Sequence, residues 1–372
     1  PYGEEAASLK ELQNLTLSYE DKMLPNAQRR IYCLSQVLTV ATNAFLIKLS
    51  LILEKNASKD VAKRWLDHGM LIVFESLLSV RGSERGMLED TMGAVELLGQ
   101  FSLNVIIRNE DNDENVLDFK GKQIVISLPL SSFEALPDEY LDLAKENKLI
   151  ISFVPVLFTQ GLDIQQSMEN ILGSESRQET ELGSQLMASM ELQHHVNVQG
   201  VQKMNQYALP LISESEESGQ KSSGTDVAAA AGRRGVDNSV HPLLKNLNSH
   251  VRYTAKAEKN VNLLLEVERA CEALMGTRIT FCKSGKDRTG MVMTLEQSRM
   301  FGETFNCGQS IDRLLQDSAI LRKYGARLKI CEKNIGRPVY SINKLQTQFL
   351  PELLRPPVEV QESMTVFKKD SS

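Results

Sequence analysis

Between positions 281 and 290 the chain reads FCKSGKDRTG, so five residues separate Cys282 from Arg288. At a junction between a short apolar strand and an amphipathic helix, that spacing suits a phosphate cradle with a nucleophile at its floor. Five residues let the backbone curl until successive N–H groups converge on one point. The helix that follows adds its unpaired N-terminal donors and the positive end of its dipole. Arg288, at the far lip, can grip two phosphate oxygens with its planar fork. Cys282 sits in that positive potential and is expected to ionise well below the value of about 8.5 for a free thiol. Its thiolate can attack phosphorus in line, forming a cysteinyl-phosphate that water later hydrolyses. Arg288 and the loop amides stabilise the equatorial oxygens in both steps. Gly285 stands where the curl most needs a residue without a Cβ. Thr289 can donate its hydroxyl to the sulfur and ease departure of the thiolate in the second step. Neither a metal nor another cofactor is needed for this chemistry.

The rest of the loop bears on the substrate. Lys283, Ser284, Gly285 and Lys286 line the cradle, and Arg288 with the amides already neutralises one phosphate dianion. Two further lysines therefore point to a substrate with more than one phosphate. From Arg322 to Lys344 seven basic residues (Arg322, Lys323, Arg327, Lys329, Lys333, Arg337, Lys344) stand against one acid, Glu332. That run reads as a basic face, flanking the pocket or lying on anionic lipid. The proton donor for the leaving oxygen stays open between three residues. Asp287 lies inside the loop, Asp138 follows Leu136-Pro137 and also suits the first turn of a helix, and Asp163 follows the turn at 158–161. His194 and His195 are adjacent on an expected helix and cannot form an i, i+4 metal pair.

An α/β fold must position these residues. Apolar runs predict strands near 104–108, 123–128, 149–157 and 278–282, forming a central sheet flanked by helices, the core of a Cys-x5-Arg phosphatase. The polar run 109–115 between the first two reads as a solvated hairpin loop. Pro155 argues for an edge, a bulge or a strand end in the third. Three- and four-residue apolar spacing predicts a helical region over 1–103 packed on a phosphatase domain over 104–372. The domain is interrupted at 213–239 by SESEESGQKSSGTDVAAAAGRRGVDNS, which has too little apolar bulk to order itself and reads as a mobile linker.

Composition removes several alternatives. The 372 residues include 42% hydrophobic and 24% charged, with a formal net charge of -6. That is ordinary for a globular protein and unlike a dedicated nucleic-acid binder. Five cysteines without CxxC pairing argue against a disulfide framework or a zinc site and read as reduced, intracellular thiols. The greasiest stretch, Ile31 to Leu53, is broken by Ser35, Thr39, Thr42, Asn43, Lys48 and Ser50. It is expected to be a buried core helix rather than a membrane span. The chain begins at Pro1 without an initiator Met, which reads as a fragment of a longer protein.

The run from Gly276 through CKSGKDRT to Thr294-Leu295-Glu296-Gln297 resembles the inositol polyphosphate 4-phosphatases. Similar patches are Val125-Ile126-Ser127-Leu128-Pro129-Leu130, Pro155-Val156-Leu157-Phe158 with Gly161, Leu350-Pro351, and Arg355-Pro356-Pro357. Together they extend over about 122–357. The family's loop carries Ala where Gly285 stands, a departure towards other lipid phosphatases with glycine there. The resemblance implies removal of the 4-phosphate from phosphatidylinositol 3,4-bisphosphate. Cys282 would be the nucleophile, Arg288 the clamp, and Lys283 and Lys286 the readers of inositol phosphates. It also implies a cytoplasmic enzyme working peripherally at endosomal or plasma membranes, and an N-terminal lipid-binding C2 domain that is not legible here. A dual-specificity protein phosphatase is the alternative enzyme, and a non-catalytic inositol-lipid-binding scaffold the alternative outside enzymes.

Overall fold

The computed structural model describes residues 2–54, 58–108, 117–162, 181–211, 240–253, 259–308 and 310–362, with the side chains of 2–24, 181–190 and 253 left aside. The linker at 213–239, the polar run 109–115 and Asp163 lie outside the described residues. In chain order come α1 (Tyr2–Leu53), α2 (Lys59–His68), β1 (Met70–Ser76), α3 (Gly82–Leu98), β2 (Ser102–Ile107), β3 (Leu117–Lys120), β4 (Gln123–Leu128), α4 (Asp138–Lys145) and β5 (Ile150–Thr159). Then follow α5 (Glu181–Ala208), α6 (Lys245–Tyr253), α7 (Val261–Ala273), β6 (Thr277–Phe281) and α8 (Asp287–Thr304). The chain continues through α9 (Ile311–Tyr324), α10 (Ala326–Ile335), β7 (Tyr340–Asn343), α11 (Lys344–Gln348) and β8 (Gln361–Glu362). The fold is α/β with mixed strand pairing. The chain divides into two compact units, residues 1–69 with 89–153, and residues 70–88 with 154–372.

In the first unit α1 buries Val37, Ala41, Phe45, Leu49 and Ile52, a stripe at three- and four-residue spacing. The Phe45 ring packs 5.0 Å from that of Trp65 on α2. The expected core helix is thus buried on one face only: Ile31, Tyr32 and Ile47 are 65%, 69% and 63% exposed. By length and composition alone, Pro25–Leu53 is also long and apolar enough to cross a membrane.

The strands of this unit correct the expected hairpin. β2 and β4 run parallel, Ser102 opposite Gln123 through Ile107 opposite Leu128. The hairpin partner of β4 is instead β3, antiparallel to it with Lys120 opposite Gln123. Gly121 makes that two-residue turn with φ of +63°, backbone that favours glycine. Residues Ile150–Ser152 at the start of β5 pair antiparallel with β2. Pro155 lies beyond that ladder, where its missing N–H costs no bond with β2.

The second unit holds the signature loop. β1 reads MLIVFES with every residue buried, the pattern of a strand covered on both faces. It pairs in parallel with β6, Ile72 opposite Thr277 through Ser76 opposite Phe281. The helical reading of 1–103 therefore fails at β1. Gly69, with φ of +81°, ends α2 by returning its N–H to the Trp65 carbonyl, and the run that follows, apolar from Met70 to Phe74, extends as a strand. Gln160 donates its N–H to the Ser76 carbonyl at 2.9 Å, so the chain just beyond β5 lies at the carboxyl end of β1. α7 presents Leu264, Val267 and Cys271 inward, with Leu274 at its C-cap, all buried.

Behind the loop Arg278 on β6 joins Glu75 on β1 and Glu296 on α8. Arg299 on α8 ties Glu268 and Glu272 on α7 and Glu303 on its own helix. Burial outweighs the pull of these arginines and pushes Glu268 up to about 7.

Arg322 departs most from expectation. Counted in the basic run, it is 1% exposed and lies inside the unit. Its guanidinium donates to Thr294 Oγ1 and to the carbonyls of Met291, Leu353 and Arg355 at 2.7–3.0 Å. Burial pulls it down to about 10, partly offset by Tyr340. Arg322→Ala removes a buried donor from four acceptors and should lower unfolding stability by about 3–5 kcal/mol. A denaturation midpoint equal to the parent's would refute that structural role.

Candidate active site

β6 delivers Cys282 to the carboxyl edge of the β1–β6 pair, and the chain turns into α8 five residues later. Leu77, just past β1, donates its N–H to the Phe281 carbonyl at 2.9 Å, extending the ladder beneath the loop. Gly285 takes φ of +65°, the left-handed region where a Cβ is unfavourable. A Cβ built there meets no atom within 4 Å, so the conformation and not the space selects glycine. Lys286 is the N-cap of α8 and provides no side-chain cap, which leaves first-turn amides of α8 directed at the loop.

Cys282 is 9% exposed. Thr289 Oγ1 donates to its sulfur at 3.2 Å, and the backbone N–H groups of Thr289 and Ser284 point to the same atom. Burial alone would raise the thiol. The Thr289 hydroxyl, the two amides and the Arg288 charge outweigh it, so Cys282 titrates below the ordinary thiol value. The thiolate is therefore present at lower pH than in an unperturbed cysteine and is lost as pH falls through the depressed value. Thr289→Val, which removes the hydroxyl donor, should move the pH midpoint of Cys282 alkylation by iodoacetamide upwards. Turnover should fall by about tenfold, the worth of one hydrogen bond to a charged group. An unmoved alkylation curve would mean that Thr289 does not tune the thiol.

Arg288 is held from the loop that follows β1. Its Nη1 donates to Glu84 Oε2 at 2.7 Å and to the Leu77 carbonyl at 2.9 Å, and its Nη2 donates to Glu84 Oε1 at 2.6 Å. Glu84, in the first turn of α3, accepts the Ser79 N–H at 2.9 Å. Burial raises the Glu84 carboxyl, but the Arg288 hydrogen bonds, the Ser79 amide and the charges of Arg288 and Lys283 outweigh it and hold it below the usual range. Nothing in the sequence singled out Glu84, whose partner is 204 positions away. The one signal available was an acid in the first turn of a helix that follows the buried strand β1.

The remaining loop residues divide between mouth and flank. Lys283 and Ser284 are exposed. Lys286 turns aside, its Nζ donating to Ser341 Oγ on β7 at 2.8 Å. Asp287 accepts the Ser341 N–H at 2.9 Å, and Lys286 Nζ lies 3.7 Å from its other oxygen. Arg327 on α10 donates to the Gly285 carbonyl at 2.6 Å, and its Cβ sits 3.7 Å from where a Cβ on Gly290 would be. The basic run is therefore not one face. Arg322 is internal, Arg327 buttresses the loop, and Lys323 and Arg337 pair with Glu359 and Glu362. Asp138 is the first residue of α4, with Pro137 as its N-cap.

A family model described as the INPP4A C-terminal domain matches residues 6–354. Human inositol polyphosphate 4-phosphatase type II is 28% identical over 350 residues, covering 93% of this chain and 33% of its own. Rat type II inositol 3,4-bisphosphate 4-phosphatase is 28% identical over 348 residues, with the same coverage. The mouse phosphatidylinositol 3,4,5-trisphosphate-dependent Rac exchanger 1 protein is 26% identical over 302 residues, covering 76% of this chain and 17% of its own. The chain spans about a third of the length of the phosphatase relatives it matches.

Proposed function

The chain belongs to the INPP4A C-terminal domain family, and from that premise we propose that it is a phosphoinositide phosphatase with a Cys-x5-Arg core. In this reading it removes the 4-phosphate of phosphatidylinositol 3,4-bisphosphate. The observation that carries it is the convergence on one sulfur of the Thr289 hydroxyl and two loop amides, beside a clamped arginine. These donors favour a thiolate and are the groups that would face a phosphate dianion held over the sulfur.

In the reaction, the Cys282 thiolate attacks phosphorus, the P–O bond to the inositol ring breaks, and the freed ring oxygen takes a proton. Water then attacks phosphorus and gives its proton to the base left by the proton donor, the S–P bond breaks, and the Thr289 hydroxyl stabilises the departing thiolate. Arg288 and the loop amides hold the three equatorial oxygens throughout. Asp287 serves as the proton donor if its carboxylate leaves the Ser341 amide that engages it here. Lys283 is the exposed cation at the mouth for a second ring phosphate. Lys329, Lys333 and Lys344, which remain exposed, provide the anionic-membrane contact, each worth about 1 kcal/mol near a charged surface. The protein then works in the cytoplasm, peripherally at the membrane.

The test is phosphate release, with a chelator present, from mono-, bis- and tris-phosphorylated inositol lipids, soluble inositol phosphates and a phosphotyrosine peptide. Release from the 3,4-bisphosphate lipid, absent in Cys282→Ser, is the expected result. Turnover of the peptide alone would replace the reading with a protein phosphatase. Binding of the lipids without release from any substrate would replace it with an inositol-lipid-binding module.

A further inference from the structure

Resting on the catalytic reading above, we infer that Glu84 is a positioning residue for phosphoryl transfer, orienting the Arg288 fork before substrate arrives. Its carboxylate receives both Nη1 and Nη2, at 2.7 and 2.6 Å, in a bidentate contact. The Leu77 carbonyl takes a further Nη1 hydrogen at 2.9 Å. Glu84 is itself fixed by the Ser79 N–H at 2.9 Å. Both side chains of the pair are largely covered, 17% and 14% exposed.

A guanidinium is planar. One whose Nη1/Nη2 edge lies on a carboxylate turns its Nε/Nη2 edge the other way. That second edge is the one an oxyanion must meet. The clamp therefore decides the plane in which Arg288 addresses the equatorial oxygens, and the long side chain loses its freedom on folding rather than on binding.

The same carboxylate has an opposite electrostatic effect. It offsets part of the Arg288 charge and weakens attraction for any bound anion, in the ground state as well. Loss of Glu84 thus separates two quantities. Orientation matters most in the trigonal transition state, whereas net charge matters for ground-state binding. A residue that only tied the loop after β1 to the signature loop would degrade both together.

Glu84→Gln keeps the shape and removes the charge; Glu84→Asp keeps the charge and withdraws it by one methylene. Each would be assayed in the full chain for kcat and KM on the 3,4-bisphosphate lipid and for thermal midpoint. Inhibition by orthovanadate would report the five-coordinate geometry, and inhibition by inorganic phosphate the tetrahedral one. For Glu84→Gln, kcat should fall at least about tenfold with KM unchanged or lower. Vanadate inhibition should weaken to match, while phosphate inhibition holds or strengthens. Glu84→Asp should recover part of kcat. If the Gln variant does not fold, Glu84→Asp against the parent carries the test, with reduced kcat and undiminished phosphate inhibition expected. A Gln kcat within about twofold of the parent overturns the inference, since that is far less than one oriented donor is worth. Parallel weakening of vanadate and phosphate, with Asp no better than Gln, overturns it too. In either of these cases parental turnover leaves the catalytic reading standing. A parent that hydrolyses none of the lipids sinks both.

Discussion

Cys282→Ser is expected to fold as the parent does and to release phosphate about 10⁴-fold more slowly, because an un-ionised hydroxyl replaces an activated thiolate. The donors at this site are arranged around sulfur. The Thr289 hydroxyl lies 3.2 Å away, and the Thr289 and Ser284 amides point to the same atom. They stabilise a negative charge that a cysteine side chain takes on far more readily than a serine does. The exchange leaves no cavity of consequence in the cluster where Cys282 packs with Leu77, Met291 and Leu295. Stability should therefore stay close to the parent's, and bound substrate should be retained rather than turned over. In the parent, the acid limb of kcat/KM should follow the depressed Cys282 ionisation, with activity lost as pH falls through it. Turnover by the serine variant within about tenfold of the parent would remove Cys282 from the chemistry.

Arg288→Lys carries the second largest expected effect, a fall in kcat of about 10³-fold. The charge is kept, so a loss of this size isolates geometry. Arg288 donates twice to Glu84 and once to the Leu77 carbonyl. An ammonium has three donors on one nitrogen and cannot hold Glu84 in a fork while presenting a parallel pair to phosphate. Glu84 would be left partly buried with its bidentate partner gone. Vanadate inhibition should weaken along with kcat. A lysine variant within about tenfold of the parent would show that charge alone suffices and that the fork is idle.

The loop was legible because its chemistry is local. Cys282 and its hydrogen-bond donors Ser284 and Thr289 lie within seven positions of one another, and residue type and spacing encode their convergence. The strands at 102–107, 123–128, 150–159 and 277–281 announced themselves as apolar runs within about two residues of where they lie. β1 did not, because Leu71 and Ile72 continue the apolar spacing of α2 by coincidence. Gly69 was the punctuation that separates them. The parallel pairing of β2 with β4 was hidden because β3 lies beyond the polar run and only its partners distinguish it from a loop. Arg322 was read as surface because it is charged, yet four oxygens converge on it from segments far along the chain. Glu84 was invisible for the same reason. Long-range partners decide the roles of both residues, and no short pattern contains them.

The central claim is that phosphate passes through the Cys282 sulfur, and trapping that intermediate tests it most directly. The chain would be mixed with 3,4-bisphosphate lipid labelled in the 4-phosphate and quenched within its first turnovers. Peptides would then be mapped under conditions that preserve thiophosphate esters. The label should appear on the peptide bearing Cys282 and vanish in Cys282→Ser. Steady phosphate release with the label on another residue, or on none while turnover survives in the serine variant, would contradict it.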